Sequence, residues 1–259
     1  MDKRSDVSLE IDNAIALVTI DRAEVRNALR SETLERLQEV IEVISATSSV
    51  KAGILLGAGG LAFSAGADLK ALHEANPDSR EAEQFMALGQ RTCAKIWGSP
   101  KPIIAAIDGY ALGGGLEIAL ACHQRIATVR SKLGLPEIRL RHLPAWGGIS
   151  RLARLTSQRT LFSLVLTGEP IGGAEAHHAG IVDELCEPDE LLAKARGLAT
   201  RLSVGEHDLL RRGLEIIRMS LETEQSAVLA MERWAAGIDF DTDEHRSEVN
   251  RFVNAHRAK

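Results

Sequence analysis

The sequence predicts an α/β fold followed by an all-helical C-terminal part. Three observations carry this. Up to about residue 190, short apolar runs alternate with segments of helical period, as in one α/β unit. Two of the runs end in glycine-bearing turns that open into helices, in "FSAGADLKAL" (63–72) and "GYALGGGLEIAL" (109–120). Beyond Pro188 strand candidates cease and only helical periods remain. The chain therefore reads as a core domain over 1–190 and a helical subdomain over 191–259, with no low-complexity linker between them. With 259 residues, 45% of them hydrophobic, it is long enough to bury one large core.

Each element follows from local pattern. "VSLEIDNAIALVTIDR" alternates apolar residues on both sides of Asp12-Asn13, which predicts a hairpin of strands at 7–11 and 15–21. In "SETLERLQEVIEVISAT", Leu34, Leu37, Ile41 and Ile44 recur at helical spacing, with Ser31 as the expected N-cap. "AGILLGA" and "PIIAAIDGYAL" read as buried strands, and "GGLEIALAC" as a helix. "QRIATV" and "KLGL" are two further short runs. Residues 73–84, "HEANPDSREAEQ", are polar and contain Pro77, which suggests a surface loop or a mobile cover. "DELLAKARGLATRLS", "GEHDLLRRGLEIIRMSL" and "EQSAVLAMERWAAGI" make up the helical end.

Composition narrows the function classes. A net charge of −5 points to neither nucleic acid nor an anionic membrane as partner. The three cysteines, Cys93, Cys122 and Cys186, are widely spaced and form no ligand pattern, so neither a disulfide scaffold nor a metal site is expected. A reducing cytoplasmic location suits them. The first ten residues, "MDKRSDVSLE", have no apolar core of a secretory signal.

The glycine-bearing turns hold the chemistry. A helix N-terminus presents free backbone N–H groups and a positive dipole end. Two such termini meeting at one point could hold a single oxygen in an oxyanion hole. Read singly, each is as well explained as an ordinary strand-to-helix join. Neither ends in the Gly-Lys-Ser/Thr of a phosphate loop, and no GxGxxG is present. Glu117 lies three residues after Gly114, hence on the same helical face, within the apolar run Leu116 to Leu120. A carboxylate there needs partners or a raised pKa. Its two readings are an active-site acid and a buried salt bridge to Arg125 or Arg139. Glu137 in "LGLPEIRL" reads as an exposed residue after Pro136, or as a second acid sharing acid and base roles with the first.

These stretches, in this order, resemble the enoyl-CoA hydratase/isomerase, or crotonase, superfamily over nearly the whole chain. "VTIDRAEVRNAL" resembles its first strand and turn, "FSAGADLKAL" and "DGYALGGGLEIALAC" its two oxyanion segments. "LGLPEIRL" resembles the segment of its second acid, and "LTGEPIGGAEAHHAGIVDEL" the approach to its helical end. The resemblance implies a crotonase-like spiral of ββα units with a C-terminal helical trimerisation region, and a homotrimer or dimer of trimers. It implies that the N–H groups of Ala67 and Gly114 hold a thioester oxygen, and that Glu117 and Glu137 handle a water molecule. Glu24, Val25, Arg26, Ala65, Asp68, Leu69, Lys70 and Gly113 would then meet CoA or substrate. Arg26 and Lys70 are the candidates for its phosphates. No metal or separate cofactor is implied, since CoA belongs to the substrate. Having both acids favours reversible hydration of a trans-2-enoyl-CoA. The alternatives are isomerisation, dehydration of an acyl-CoA or carrier-protein thioester, or acyl-CoA binding without catalysis.

The chain departs from the family pattern after Glu137. "HLPAWGGISRL" has Ala145 where glycine is usual and Trp146 where a small residue is usual. Trp146 either borders the acyl group or packs into the core or a subunit contact. His142 reads as a structural histidine, and His177 and His178 as surface helix residues.

Overall fold

The computed structural model describes residues 5–205, 207–240 and 242–257. The expected hairpin is β1 (Val7–Asp12) and β2 (Ile15–Ile20), paired antiparallel from Val7↔Ile20 to Asp12↔Ile15. Strand β2 buries Ala16, Val18 and Ile20 on one face, as period-2 alternation requires. Helix α1 (Ser31–Ala46) buries Leu34, Leu37, Val40, Ile41 and Ile44. Ser31 is its first residue and not its cap; Arg30 holds the cap position. Asp6 ties this end down instead, accepting from Arg30 at 2.7 and 2.8 Å and from the Thr33 hydroxyl at 2.6 Å.

The chain then repeats one move three times. A strand enters a first sheet, a short strand enters a second sheet, and helical structure follows. The first repeat is β3 (Ala52–Gly57), β4 (Ala62–Ser64), α2 (Leu69–Ala75) and α3 (Ser79–Trp97). The second is β5 (Ile103–Ile107), β6 (Tyr110–Leu112) and α4 (Gly114–Ala121). The third is β7 (Gln124–Thr128), β8 (Lys132–Gly134), a 3-10 turn (Pro136–Leu140), α5 (Gly148–Leu155) and α6 (Gln158–Leu166). Strand β9 (Ile171–Gly172), α7 (Gly173–His178) and β10 (Glu184–Cys186) complete the sheets. The first has the order β1-β2-β3-β5-β7-β10, parallel except for the hairpin, and the second β4-β6-β8-β9.

Two expectations are corrected here. "PIIAAIDGYAL" is two strands in different sheets, because the chain turns a corner at Gly109 with φ of +67°. Residues 73–84 are mostly helix: α2 runs to Ala75, and α3 starts at Ser79 under a capping box of Asp78 and Glu81.

Helix α8 (Leu191–Leu202) lays Leu191, Ala195, Leu198 and Ala199 on Ile54, Ile104, Ala106 and Ile126 of the first sheet. The first compact unit therefore extends to Val204, where the sequence pattern alone put the change at 190. The second unit, from Gly205, contains α9 (His207–Glu222), α10 (Gln225–Asp239) and α11 (Asp243–Arg257). It exposes Ile217, Leu221, Leu229, Trp234 and Phe240. Among the described residues no helix is long and apolar enough to cross a membrane.

Candidate active site

Strands β4 and β6 are parallel neighbours, so the turns that leave them run side by side. Gly66 makes this approach feasible. Its φ is +94°, and a Cβ there would sit 2.7 Å from the Leu112 carbonyl oxygen and 3.3 Å from the Gly114 nitrogen. Gly113 turns the chain at φ +51° into α4, with its N–H on the Gly134 carbonyl at 2.9 Å. Within the protein, among the described residues, the N–H groups of Ala67 and Gly114 donate to no acceptor. Two free backbone donors thus border one cavity, of about 100 Å³, at adjoining turns.

The same loop is pinned to the turn at 24–26. Ala65 donates to the Arg26 carbonyl at 3.0 Å, Leu29 to that of Gly66 at 2.8 Å, and Asp68 to that of Leu29 at 2.9 Å. Two residues to which the sequence reading gave no role hold this junction. Asn27, fully buried, donates to the carbonyls of Ala58 and Ala62 at 2.9 and 2.7 Å. Arg22 reaches the Ala28 carbonyl at 2.6 Å and Asp68 at 2.9 Å. Glu24, Val25 and Arg26 are exposed beside the exposed pair Leu69 and Lys70. The buried side chain of Asp68 caps α2 through the Ala71 N–H and pairs with Arg22. Burial alone would raise its pKa, but the Ala71 N–H and Arg22 outweigh that and lower it.

Glu117 is buried in α4, and neither Arg125 nor Arg139 pairs with it. Its Oε1 accepts two backbone N–H bonds, from Trp146 at 2.8 Å and Gly148 at 2.7 Å. Burial raises its pKa; those two donors and the charges of Arg151 and His142 pull the other way without prevailing. Glu137 is also buried, not exposed after its proline. Its Oε2 lacks any hydrogen-bond partner. Burial pushes its pKa up to about 7, opposed by its own backbone N–H and reinforced by the charge of Glu117. A Cβ on Gly113 would come within 2.8 Å of Glu137 Oε1, so the glycine makes room for this carboxyl.

One cavity is bordered by Ala67, Gly114, Glu117, Glu137, Gly113 and Trp146 together. Its apolar wall adds Leu72, Met86 and Leu143. Pattern did not single these out, because residues from α2, α3 and a loop converge only in three dimensions. His142 is exposed and also borders the cavity, its Nδ1 3.2 Å from the Leu143 carbonyl oxygen. His177 and His178 are exposed on α7, as their spacing suggested. The arrangement offers two N–H donors for a developing oxyanion and two carboxyls in unequal surroundings.

A family model described as enoyl-CoA hydratase/isomerase matches residues 10–259. The short-chain-enoyl-CoA hydratase of Clostridium acetobutylicum is 35% identical over 249 residues, covering 96% of this chain and 95% of that one. The crotonyl-CoA hydratase of Syntrophomonas wolfei is 31% identical over 253 residues, covering 98% and 96%. Among solved structures, an enoyl-CoA hydratase from Bacillus anthracis superposes with a TM-score of 0.91 at 30% identity, covering 96% of each chain.

Proposed function

This chain belongs to the enoyl-CoA hydratase/isomerase family, and from that premise we propose that it reversibly adds water across the 2,3 double bond of a trans-2-enoyl-CoA. The asymmetry of the two acids carries the reading. Glu117 has two N–H donors on one oxygen that offset part of the upward pull of burial on its pKa, support that Glu137 lacks. Glu137 has an unpartnered buried oxygen and a pKa near 7, which favours its protonated form. One group is then suited to take a proton and the other to give one.

The thioester oxygen sits on the Ala67 and Gly114 N–H groups, which grow stronger as partners when enolate charge develops. Glu117 takes a proton from water as its oxygen bonds to C3. The π electrons move toward the thioester, and Glu137 gives its proton to C2. Transfer of a proton from Glu117 to Glu137 through water restores the starting state, and the same steps in reverse dehydrate the product. CoA lies along the turn at 24–26 and the loop at 65–70, with Arg26 and Lys70 facing phosphates and backbone groups at 67–69 facing adenine. Self-association is assigned to the second unit, whose exposed apolar side chains need cover.

The test is loss of enoyl absorbance with crotonyl-CoA. Wild type is expected to hydrate it, and Glu117→Gln and Glu137→Gln to lose about 10²-fold or more in kcat, the size of a positioned acid or base. An inert wild type across short and medium enoyl-CoAs would reject the activity. Full activity in either variant would reject the mechanism.

A further inference from the structure

Resting on the hydratase reading, we propose that Trp146 is the end wall of the acyl compartment, confining the enzyme to short enoyl groups of crotonyl size. Trp146 is 3% exposed, yet it borders the cavity that holds both donors and both acids. Its six-membered ring lies over Gly114, where an added Cβ would come within 2.3 Å of Cζ3. Its five-membered ring lies over Gly89 of α3, where an added Cβ would come within 2.1 Å of Cε2. Glycine in the middle of a helix is destabilising relative to alanine, so a glycine here is explained by the indole pressed against it. Phe85 braces the indole edge-on, with ring centroids 5.6 Å apart and planes at 69°.

The wall is fixed at its base. The backbone N–H of Trp146 donates to Glu117 at 2.8 Å and its carbonyl accepts from Arg151 at 3.0 Å. That anchoring sets the length of the compartment. The thioester oxygen is fixed at Ala67 and Gly114, and C3 must lie beside Glu117, one hydrogen bond from Trp146. The indole itself lies against Gly114, next to the oxyanion donors, so carbons beyond C3 run toward it. The cavity, about 100 Å³, is well below the ~300–1,000 Å³ of sites that take drug-sized ligands.

The test compares crotonyl-CoA, trans-2-octenoyl-CoA and cinnamoyl-CoA as substrates of wild type and Trp146→Leu. Binding of butyryl-CoA and octanoyl-CoA to wild type is followed by calorimetry. Wild type is expected to favour crotonyl over octenoyl, and Trp146→Leu to shift that kcat/KM ratio toward octenoyl by at least about tenfold. An unchanged ratio overturns the proposal. So does a wild type that prefers cinnamoyl-CoA, because the indole would then be a stacking surface. The saturated thioesters need no catalysis and no folded variant. Weaker octanoyl than butyryl binding supports the wall even if hydration fails, and equal or tighter octanoyl binding overturns it even if hydration succeeds.

Discussion

Replacing Glu137 with Gln tests the site through stability as well as rate. In the folded chain the Glu137 carboxyl titrates at about 7 and in the unfolded chain at its ordinary 4.5. That gap, at ~1.36 kcal/mol per pKa unit, amounts to about 3 kcal/mol. The residue is only 7% exposed, so solvent screening removes little of it. Below the ordinary value both states hold the proton and the group is neutral to stability. As pH rises from there toward 7, the unfolded chain releases its proton while the folded chain keeps it, and folding is progressively opposed. Wild-type stability relative to Glu137→Gln should therefore fall by about 3 kcal/mol between roughly pH 4 and pH 8, then level off. Urea denaturation of both proteins across that range measures it; titrating groups away from the site cancel in the difference, while Glu117, whose charge acts on Glu137, adds a smaller change of its own. A stability difference flat to within about 0.5 kcal/mol would refute the desolvated carboxyl, since burial is the leading cause of its shift. The kinetic counterpart has the same sign. If Glu137 gives a proton to C2, kcat/KM for hydration declines above its pKa.

Three other perturbations follow from the packing. Gly66→Ala forces a Cβ to 2.7 Å from the Leu112 carbonyl at a φ of +94°. The displaced loop should cost kcat about 10²–10³-fold, the value of a lost oxyanion donor, in steady-state assays with crotonyl-CoA. Asp68→Ala removes the α2 cap and the partner of Arg22; it should lower stability by ~1–2 kcal/mol and raise KM for acyl-CoA, as seen by thermal melts and kinetics. Gly89→Ala should destabilise wild type by ~1–3 kcal/mol through overpacking against Trp146, yet be neutral or stabilising in Trp146→Leu. A double-mutant cycle in urea measures that coupling, and additive effects would reject the contact.

The parts of the molecule legible in the sequence are those fixed by local pattern. The hairpin, α1 and the two glycine-bearing turns are set by alternation, helical spacing and backbone need. The start of α3 was also readable, since Asp78 and Glu81 form a capping box, but Pro77 and the polar composition favoured a loop. The corner at Gly109 was not readable, because an apolar run looks the same whether it serves one sheet or two. Helix α8 has the same helical period as the segments after it, and only its packing on the first sheet joins it to the core. The partners of Glu117 left no trace in the pattern. They are backbone N–H groups 29 and 31 residues further along the chain, and any residue but proline could supply them.

The glycines at 113–115 show why such a site can be recognised before it can be explained. Three glycines in sequence suggest a flexible segment, but each meets a different crowded neighbour. A Cβ on Gly113 would lie 2.8 Å from the Glu137 carboxyl, one on Gly114 2.3 Å from the Trp146 indole, and one on Gly115 2.4 Å from the Ser64 carbonyl. An acid, a wall residue and the strand of the partner loop converge on one turn, and no single side chain would fit against all three. The absent side chains let the surroundings close in on this turn. That packing bears on the chemistry directly. An N–H donor stabilises developing charge most when it need not reorient during the reaction, and the Gly114 N–H is fixed by packing on every side that a side chain would have occupied.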